Sequence, residues 1–175
     1  KTPRHIPYGA ISAQAAERCA VMMAPSKTFN IAGLCCSFAI IPNARLRFRL
    51  QQAMRGISAD VNLLGFVAAE AAYEGGEQWL TDYLAANLAL IQQAVARWPG
   101  VKLASHQATY LAWIDVSALG LADPIAFFEQ AGVGLSPGAQ FGDGQFVRLN
   151  FGCTRARLTD ALARMERAIL NHSKP

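Results

Sequence analysis

The sequence predicts an α/β fold, and three patterns support that class. Short, continuous apolar runs at 19–23 (C-A-V-M-M) and 36–41 (C-S-F-A-I-I) are typical of buried strands. The segment 77–98 repeats apolar residues at spacings of three and four, which predicts an amphipathic helix. In 146–151 (F-V-R-L-N-F) the residue types alternate, which predicts a strand with two unlike faces. Strand and helix patterns mixed along one chain indicate an α/β architecture.

The N-terminal part of the chain is predicted to hold two strands followed by two helices. The run at 19–23 is interpreted as a buried strand, in the manner of a parallel sheet, and the run at 36–41 as a second strand. A helix follows over 44–54, and an alanine-rich helix over 60–73 ends at Gly75-Gly76. We expect four arginines in this region to form a solvated or subunit-contacting face: Arg45, Arg47, Arg49 and Arg55.

The helix over 77–98 is the clearest element of the sequence. Pro99-Gly100 ends it, and two strands follow at 101–104 and 110–116. Its apolar stripe consists of Leu80, Leu84, Leu88, Ile91 and Val95.

Two more helices are marked by capping residues. Asp123 and Pro124 are an N-cap and a first helical position, and Gly132 ends that helix. Thr154 can cap a last helix. The apolar face of the last helix consists of Leu158, Leu162, Met165 and Ile169.

Three segments follow from this order of elements. We expect 1–75 to be the end of a larger domain, 76–98 to be a connecting helix, and 99–175 to be a small C-terminal α/β domain. The chain begins K-T-P-R-H-I-P-Y without a methionine and reaches a core segment within two dozen residues. We therefore expect it to be the interior of a longer protein.

Composition argues against several classes of protein. With 53% hydrophobic and 16% charged residues, the chain can form a substantial core, and its net charge of +4 is too small and too scattered for a nucleic-acid surface. The four cysteines include no C-x-x-C pair, which favours buried free thiols in a reducing cytoplasm. The sequence has no apolar run long enough to cross a membrane, and its three histidines lack the spacing of metal ligands, so we expect neither a membrane partner nor a metal.

Lys27, in the turn M-M-A-P-S-K-T-F-N, is the first candidate for chemistry. Taken alone, a lysine after a strand is more often a solvated loop residue. The alternative is a Schiff-base lysine, whose amine must be partly neutral to attack an aldehyde. Burial beside Met22, Met23 and Phe29 would lower the pKa of the amine in that direction.

Arg148 is the second candidate. Period two places it with Phe146 and Asn150 on one face of its strand. On pattern alone this is an amphipathic edge strand with its arginine in water, whereas the functional alternative is a rigidly held guanidinium that binds a carboxylate through two hydrogen bonds. The glycine-rich segment 138–144 leads into a strand and not into a helix, which indicates a tight turn that shapes the approach to Arg148 and not a phosphate loop.

Five motifs in chain order now point to a known family. Together they resemble the C-terminal half of fold-type I pyridoxal-phosphate enzymes of the class I/II aminotransferase family, and most nearly the MalY/PatB-type cystathionine β-lyase (C-S lyase) group. The motifs are H-I-P-Y-G-A-I (5–11), A-P-S-K-T-F-N-I-A-G-L (24–34), A-I-I-P-N (39–43), T-Y-L-A-W-I-D (109–115) and F-V-R-L-N-F-G-C-T-R (146–155).

The resemblance implies a fold and a role for three residues. The fold would be the end of the large pyridoxal-phosphate domain followed by the small C-terminal α/β domain. Lys27 would hold the cofactor covalently and move the α-proton of the substrate, Arg148 would bind the substrate α-carboxylate, and Ser26 would help to position the cofactor phosphate.

The chain also departs from the aminotransferase pattern. Many aminotransferases carry a phosphate-binding serine three residues before the lysine and an arginine eight residues after it. Ala24 and Cys35 occupy these positions here, which agrees better with the lyase branch. The family's aspartate for the pyridine nitrogen, its ring-stacking aromatic residue and its main phosphate loop all lie upstream of His5 and outside this chain.

The resemblance therefore implies a fragment of a lyase that cleaves cystathionine or cysteine S-conjugates to a thiol, pyruvate and ammonia. The intact protein would be a cytoplasmic homodimer, and the isolated chain would bind the cofactor weakly and lack activity. Two alternatives stay open at this point. One is an aminotransferase that passes the amino group to a 2-oxo acid, and the other is a non-catalytic fragment or binding module.

Overall fold

The structure is a computed structural model that describes residues 5–172. It confirms the mixed α/β class and divides the chain into two compact units, a first unit up to Glu77 and a second unit from Gln78. The opening K-T-P-R, which contributed to the expectation of a longer protein, and residues 173–175 lie outside the described residues. Among the described helices, none combines the length and apolar character needed to span a bilayer.

The first unit combines a two-stranded ribbon with four helices among its described residues. Strands β1 and β2 pair antiparallel, with Met22 opposite Ala39. In chain order its elements are α1 (Ala13–Glu17), β1 (Val21–Met23), α2 (Ser26–Phe29), β2 (Phe38–Ile40), α3 (Ala44–Met54) and α4 (Leu63–Gly75).

The prediction of a buried strand in a parallel sheet at 19–23 is wrong. Strand β1 pairs antiparallel, Met22 is 70% exposed, and Ile40 of the neighbouring strand is 49% exposed. A continuous apolar run specifies that a segment needs cover on both faces, but it specifies neither the direction of the neighbouring strand nor the layer that supplies the cover. Within the described first unit, that cover is incomplete.

Asparagine caps start both long helices of the first unit. The side-chain oxygen of Asn43 accepts from the Leu46 amide at 2.9 Å, and that of Asn62 accepts from the Gly65 amide at 2.8 Å. Each cap satisfies an amide that has no partner within its own helix. The cap at Asn62 also explains why α4 begins three residues later than predicted. The expected exposed basic face is confirmed for Arg45, Arg47, Arg49 and Arg55.

The second unit places helices against a four-stranded antiparallel sheet. Its strands have the order β3-β4-β6-β5. A π-helical segment at Trp79–Leu84 opens the unit. The elements that follow are α5 (Ala85–Val95), β3 (Lys102–Leu103), β4 (Leu111–Asp115), α6 (Pro124–Gln130), β5 (Ser136–Pro137), β6 (Phe146–Asn150) and α7 (Arg155–His172).

The apolar faces predicted for the helices of this unit are confirmed. All four residues named for the last helix are buried, and so are Leu84, Ile91 and Val95 of the stripe at 77–98. They belong to one core cluster with the inward residues of the sheet, among them Ile114 and Val147. Asp123 accepts hydrogen bonds from two amides of α6, as an N-cap should.

Two expectations for the second unit need correction. The helix over 77–98 is not uniformly α-helical, because six of its residues form the π-helical segment. The strand of Arg148 is not an edge strand, since β6 lies between β4 and β5. Strand β5 escaped prediction because Pro137 and Gly138 have the composition of a turn.

A buried amide of α5 joins this helix to the chain that follows β6. Asn87 is 0% exposed, and its Nδ2 donates to the carbonyls of Phe151 at 3.0 Å and Cys153 at 3.1 Å. Tyr83 adds to this junction, because its hydroxyl accepts from the Arg155 amide at 2.8 Å. These bonds satisfy backbone groups in a segment where the sheet ladder has already ended.

We expect the substitution Asn87→Ala to destabilise the protein by about 2 kcal/mol, because it removes the buried donor that bonds the Phe151 and Cys153 carbonyls. Urea unfolding monitored by tryptophan fluorescence measures this change. Gln92→Ala, an exposed residue of the same helix, is the control and should stay within about 0.5 kcal/mol of the parent. Equal stabilities for the two variants would contradict the assigned role of Asn87.

Candidate active site

Lys27 lies on a single helical turn that begins just after β1. The backbone of this turn is hydrogen-bonded throughout: the Lys27 amide donates to Ala24 at 3.2 Å, and the Phe29 amide donates to Pro25 at 2.7 Å. Asn30 ends the turn in the left-handed conformation, with φ of 58°. Asparagine tolerates that conformation better than most residues, so the sequence S-K-T-F-N makes a short, sharply ended turn.

Aromatic contacts hold this turn against α4. The ring of Phe29 meets that of Tyr73 edge-on, with centroids 5.5 Å apart, and Tyr73 meets Phe38 of β2 at 6.0 Å. Gly76 packs so closely on Phe29 that a Cβ atom there would lie 2.5 Å from the ring. The turn that carries Lys27 is therefore fixed on the side of Phe29.

The environment of the Lys27 amine agrees with the solvated alternative and not with the buried one. Burial beside Met22 and Met23 was the physical reason to consider a neutral amine, but the side chains of Lys27, Met22 and Met23 are all exposed within the first unit. The neighbouring Ser26 is buried. Among residues 5–172, no carboxylate forms an ion pair with Lys27.

Arg148 lies in the middle of a row that crosses three strands. In the register of the sheet, Trp113 of β4 is directly opposite it on one side and Ser136 of β5 on the other. Its Nη2 donates to the Ser136 hydroxyl at 3.1 Å, and the side chain is half-buried. The alternation predicted for this strand is confirmed, because its neighbours Val147 and Leu149 point into the core.

An aromatic cluster lies beside the guanidinium, and one of its rings contacts that group. The Cζ atom of Arg148 lies 4.4 Å from the centre of the Phe141 ring, a cation–π contact. Phe141 also meets Trp113 edge-on at 5.9 Å, and Trp113 stacks on Phe146 at 5.2 Å. Phe141 belongs to the glycine-rich segment 138–144, so this segment contacts Arg148, and the expectation that it shapes the approach to Arg148 stays a prediction.

The candidate residues fall in different units. Ser26 and Lys27 are adjacent in the first unit, whereas Arg148 belongs to the second. The catalytic and binding roles of these three residues stay predictions.

Three residues beside Arg148 were not singled out from the sequence. Ser136 and Trp113 become its neighbours only through strand pairing, which a single sequence does not reveal. Phe141 lay within a segment already connected with Arg148, and its aromatic ring between glycines was the available signal.

The cysteines differ more in exposure than was expected. All four are free, but only Cys36 is buried and Cys35 is exposed, so the expectation of uniformly buried thiols is wrong. The exposed Cys35 ends a short helical turn in the left-handed conformation, with φ of 50°. Within the described part of the chain, no group of three or more potential metal ligands is present.

The curated proteins to which the chain is similar include cystathionine β-lyases. The chain is 36% identical over 177 residues to cystathionine β-lyase PatB of Bacillus subtilis, covering 95% of this chain and 46% of PatB. It is 35% identical over 176 residues to protein MalY of Escherichia coli, covering 94% of this chain and 44% of MalY. The chain thus spans a little under half the length of these relatives. No protein-family model matches it.

Solved structures agree with these relatives. The chain is 48% identical to OvoB, with a TM-score of 0.85, and the match covers 95% of this chain and 45% of OvoB. It is 28% identical to cystalysin from Treponema denticola, a structure that contains pyridoxal 5'-phosphate, with a TM-score of 0.84 and coverage of 98% of this chain and 46% of cystalysin.

The fold is that of the C-terminal part of pyridoxal-phosphate-dependent proteins of the aminotransferase fold. Within that class, the chain corresponds to the C-terminal half of the MalY/PatB cystathionine β-lyases, and the resemblance noted in the sequence is confirmed.

The thiols allow a test of this local structure. Burial raises the pKa of Cys153 above its ordinary value of 9.0, and the nearby Arg157 opposes this only in part. Because the thiolate is the reactive form, Cys153 should be alkylated by iodoacetamide more slowly than the exposed Cys35 at pH 8, and its rate should reach half-maximum above pH 9.0. Peptide mapping after timed labelling measures both rates. A midpoint at or below pH 9.0 for Cys153 would contradict its burial.

Proposed function

We propose that this chain is the C-terminal half of a pyridoxal-phosphate-dependent C-S β-lyase. The substrate would be cystathionine or a similar cysteine S-conjugate, and the products a thiol, pyruvate and ammonia. The observation that carries the proposal is the Lys27 amine, held on a fixed turn and left without an ion pair among the described residues. Its relatives PatB and MalY support the choice of reaction.

The donor chemistry of the described residues fits the cofactor. Pyridoxal phosphate is an aldehyde, and an exposed primary amine without a competing carboxylate can condense with it. Lys27 would hold the aldehyde carbon, and Ser26, next to it in α2, would contribute to holding the phosphate. When bound, the cofactor supplies an electron sink for the negative charge that develops at the substrate α-carbon.

Two residues of the chain then act on the substrate. Once the substrate amine has replaced Lys27 at the aldehyde carbon, the freed Lys27 amine would accept the α-proton, a task suited to a base at the end of a flexible side chain on a fixed backbone. Arg148 binds the α-carboxylate through its planar fork of donors, and the central strand on which it lies limits where that carboxylate can be. Loss of the thiolate from the β-carbon completes the elimination.

Two further features of the whole protein belong to this proposal. We propose a homodimer, supported by the many large apolar side chains that the first unit leaves exposed, which need further polypeptide to cover them. We also propose a cytoplasmic location, supported by four free thiols. The sequence-based division into 1–75, 76–98 and 99–175 remains a proposal beside the two units observed.

The full-length protein, loaded with pyridoxal phosphate and given L-cystathionine, should release pyruvate and free thiol in equal amounts without any added 2-oxo acid. Lactate dehydrogenase measures the pyruvate, and a thiol reagent measures the second product. A keto acid formed only after addition of an amino acceptor would favour the aminotransferase alternative. If neither product forms although the cofactor is bound, the lyase assignment fails.

Reduction of the loaded protein with borohydride should attach the cofactor permanently to Lys27, because it converts the carbon–nitrogen double bond between the cofactor and the amine into a stable single bond. Peptide mapping by mass spectrometry locates the adduct. Lys102, an exposed lysine of the second unit, provides the control: Lys102→Ala should keep the adduct, and Lys27→Ala should lose it. An adduct on Lys102, or no adduct at all in the parent protein without substitutions, would overturn the role of Lys27.

A further inference from the structure

The guanidinium of Arg148 has more contacts with neighbouring side chains than a strand arginine needs in order to fold. A half-buried arginine could extend into water from any strand, but here two different groups hold the same guanidinium. The Ser136 hydroxyl accepts from Nη2 at 3.1 Å. The Cζ atom lies over the Phe141 ring, 4.4 Å from its centre.

Phe141 is itself held in place from behind. Its ring meets Trp113 at an interplanar angle of 89°, and Trp113 in turn stacks on Phe146 at 13°. Since Trp113 and Phe146 lie on the paired strands β4 and β6, this chain of rings ties Phe141 to the sheet. The ring is still 52% exposed, so burial alone does not explain its position.

The loop that carries Phe141 has a specific geometry. Gly138 is buried where a Cβ atom would overlap the carbonyl oxygens of Asp143 and Phe146, so no other residue fits there. Gly142 has φ of 104°, which favours glycine. The Asp143 amide donates back to the Gly138 carbonyl at 3.2 Å and closes the loop. A loop closed in this way presents Phe141 in one position.

The consequence for Arg148 concerns its remaining donors. A guanidinium has five N–H groups in one plane, and Ser136 accepts from one of them. Among residues 5–172, no carboxylate pairs with Arg148. Phe141 and Ser136 together restrict where the guanidinium lies, and its other donors stay open to an incoming carboxylate.

We propose that Phe141 is a positioning residue, which holds the Arg148 guanidinium in place for the substrate α-carboxylate. This inference rests on the proposed function, in which Arg148 binds that carboxylate. Because the ring acts through Arg148, it contributes to substrate binding and not to the movement of the α-proton. Phe141 therefore affects KM and leaves kcat nearly unchanged.

The test uses the full-length, cofactor-loaded protein with Phe141→Leu and the matched variant Phe141→Tyr, which keeps an aromatic face. Phe141→Leu should raise KM for L-cystathionine about fivefold, the size expected for a partly desolvated cation–π contact. In both variants kcat should stay within about twofold of the parent, and Phe141→Tyr should also keep KM within that range, since tyrosine offers a similar ring face. Equal KM values for Phe141→Leu and the parent would overturn the inference.

A second pair of variants separates this inference from the proposed function. Arg148→Met removes the guanidinium and should raise KM at least tenfold, the loss expected for a charge-assisted hydrogen bond. In that background Phe141→Leu should have no further effect on KM. If Arg148→Met leaves KM unchanged, the proposed role of Arg148 fails and the positioning role fails with it. If Arg148→Met raises KM and Phe141→Leu does not, only the positioning role fails.

A further measurement does not depend on activity. In the ¹H–¹⁵N spectrum of the full-length protein, the Nε–H signal of Arg148 should be displaced by the ring current of Phe141. Phe141→Leu should abolish that displacement and Phe141→Tyr should keep it, and thermal unfolding of both variants verifies that they are folded. An Arg148 signal that is the same in the parent and in Phe141→Leu would overturn the inference, whatever reaction the protein catalyses.

Discussion

The register of β6 between β4 and β5 is the constraint on which the second unit depends. Side chains of a strand alternate between its faces, so a shift by one residue would exchange Arg148 with Val147 or Leu149. That exchange would place a guanidinium in the apolar core and two apolar side chains in water. The same register sets Trp113 and Ser136 on either side of Arg148. One pairing pattern thus stabilises the core and builds the candidate carboxylate site.

The two units obtain their stability in different ways. The second has one continuous apolar core, which includes inward residues of the sheet and the buried faces of α5 and α7. The first has few buried apolar side chains and exposes large ones, such as Leu63 at 76% and Met22 at 70%. Exposed apolar surface on this scale marks an interface with other polypeptide. Lys27 lies on this less self-sufficient unit, which agrees with a site that the chain alone does not complete.

Local sequence signals predicted the helices well, because the interactions that define them are short-range. The caps at Asp123 and Thr154 and the apolar face of α7 depend on residues three or four positions apart. Strand neighbours depend on residues far apart in sequence, so the direction of β1 and the central place of β6 were predicted wrongly. The π-helical segment escaped for a related reason: its apolar spacing is close to that of an α-helix.

The sequence by itself determined which residues carry reactive groups and, through period two, that Arg148 is on the polar face of its strand. The motif order around Lys27 and Arg148 was also enough to indicate the family. Only the tertiary structure decided what surrounds these groups: it leaves Lys27 exposed, one of the two alternatives that the sequence kept open, and it holds Arg148 between Ser136 and Phe141. The physical reason is that a residue's type follows from the chain, whereas its exposure and partners follow from strands and loops that pair across long stretches of sequence.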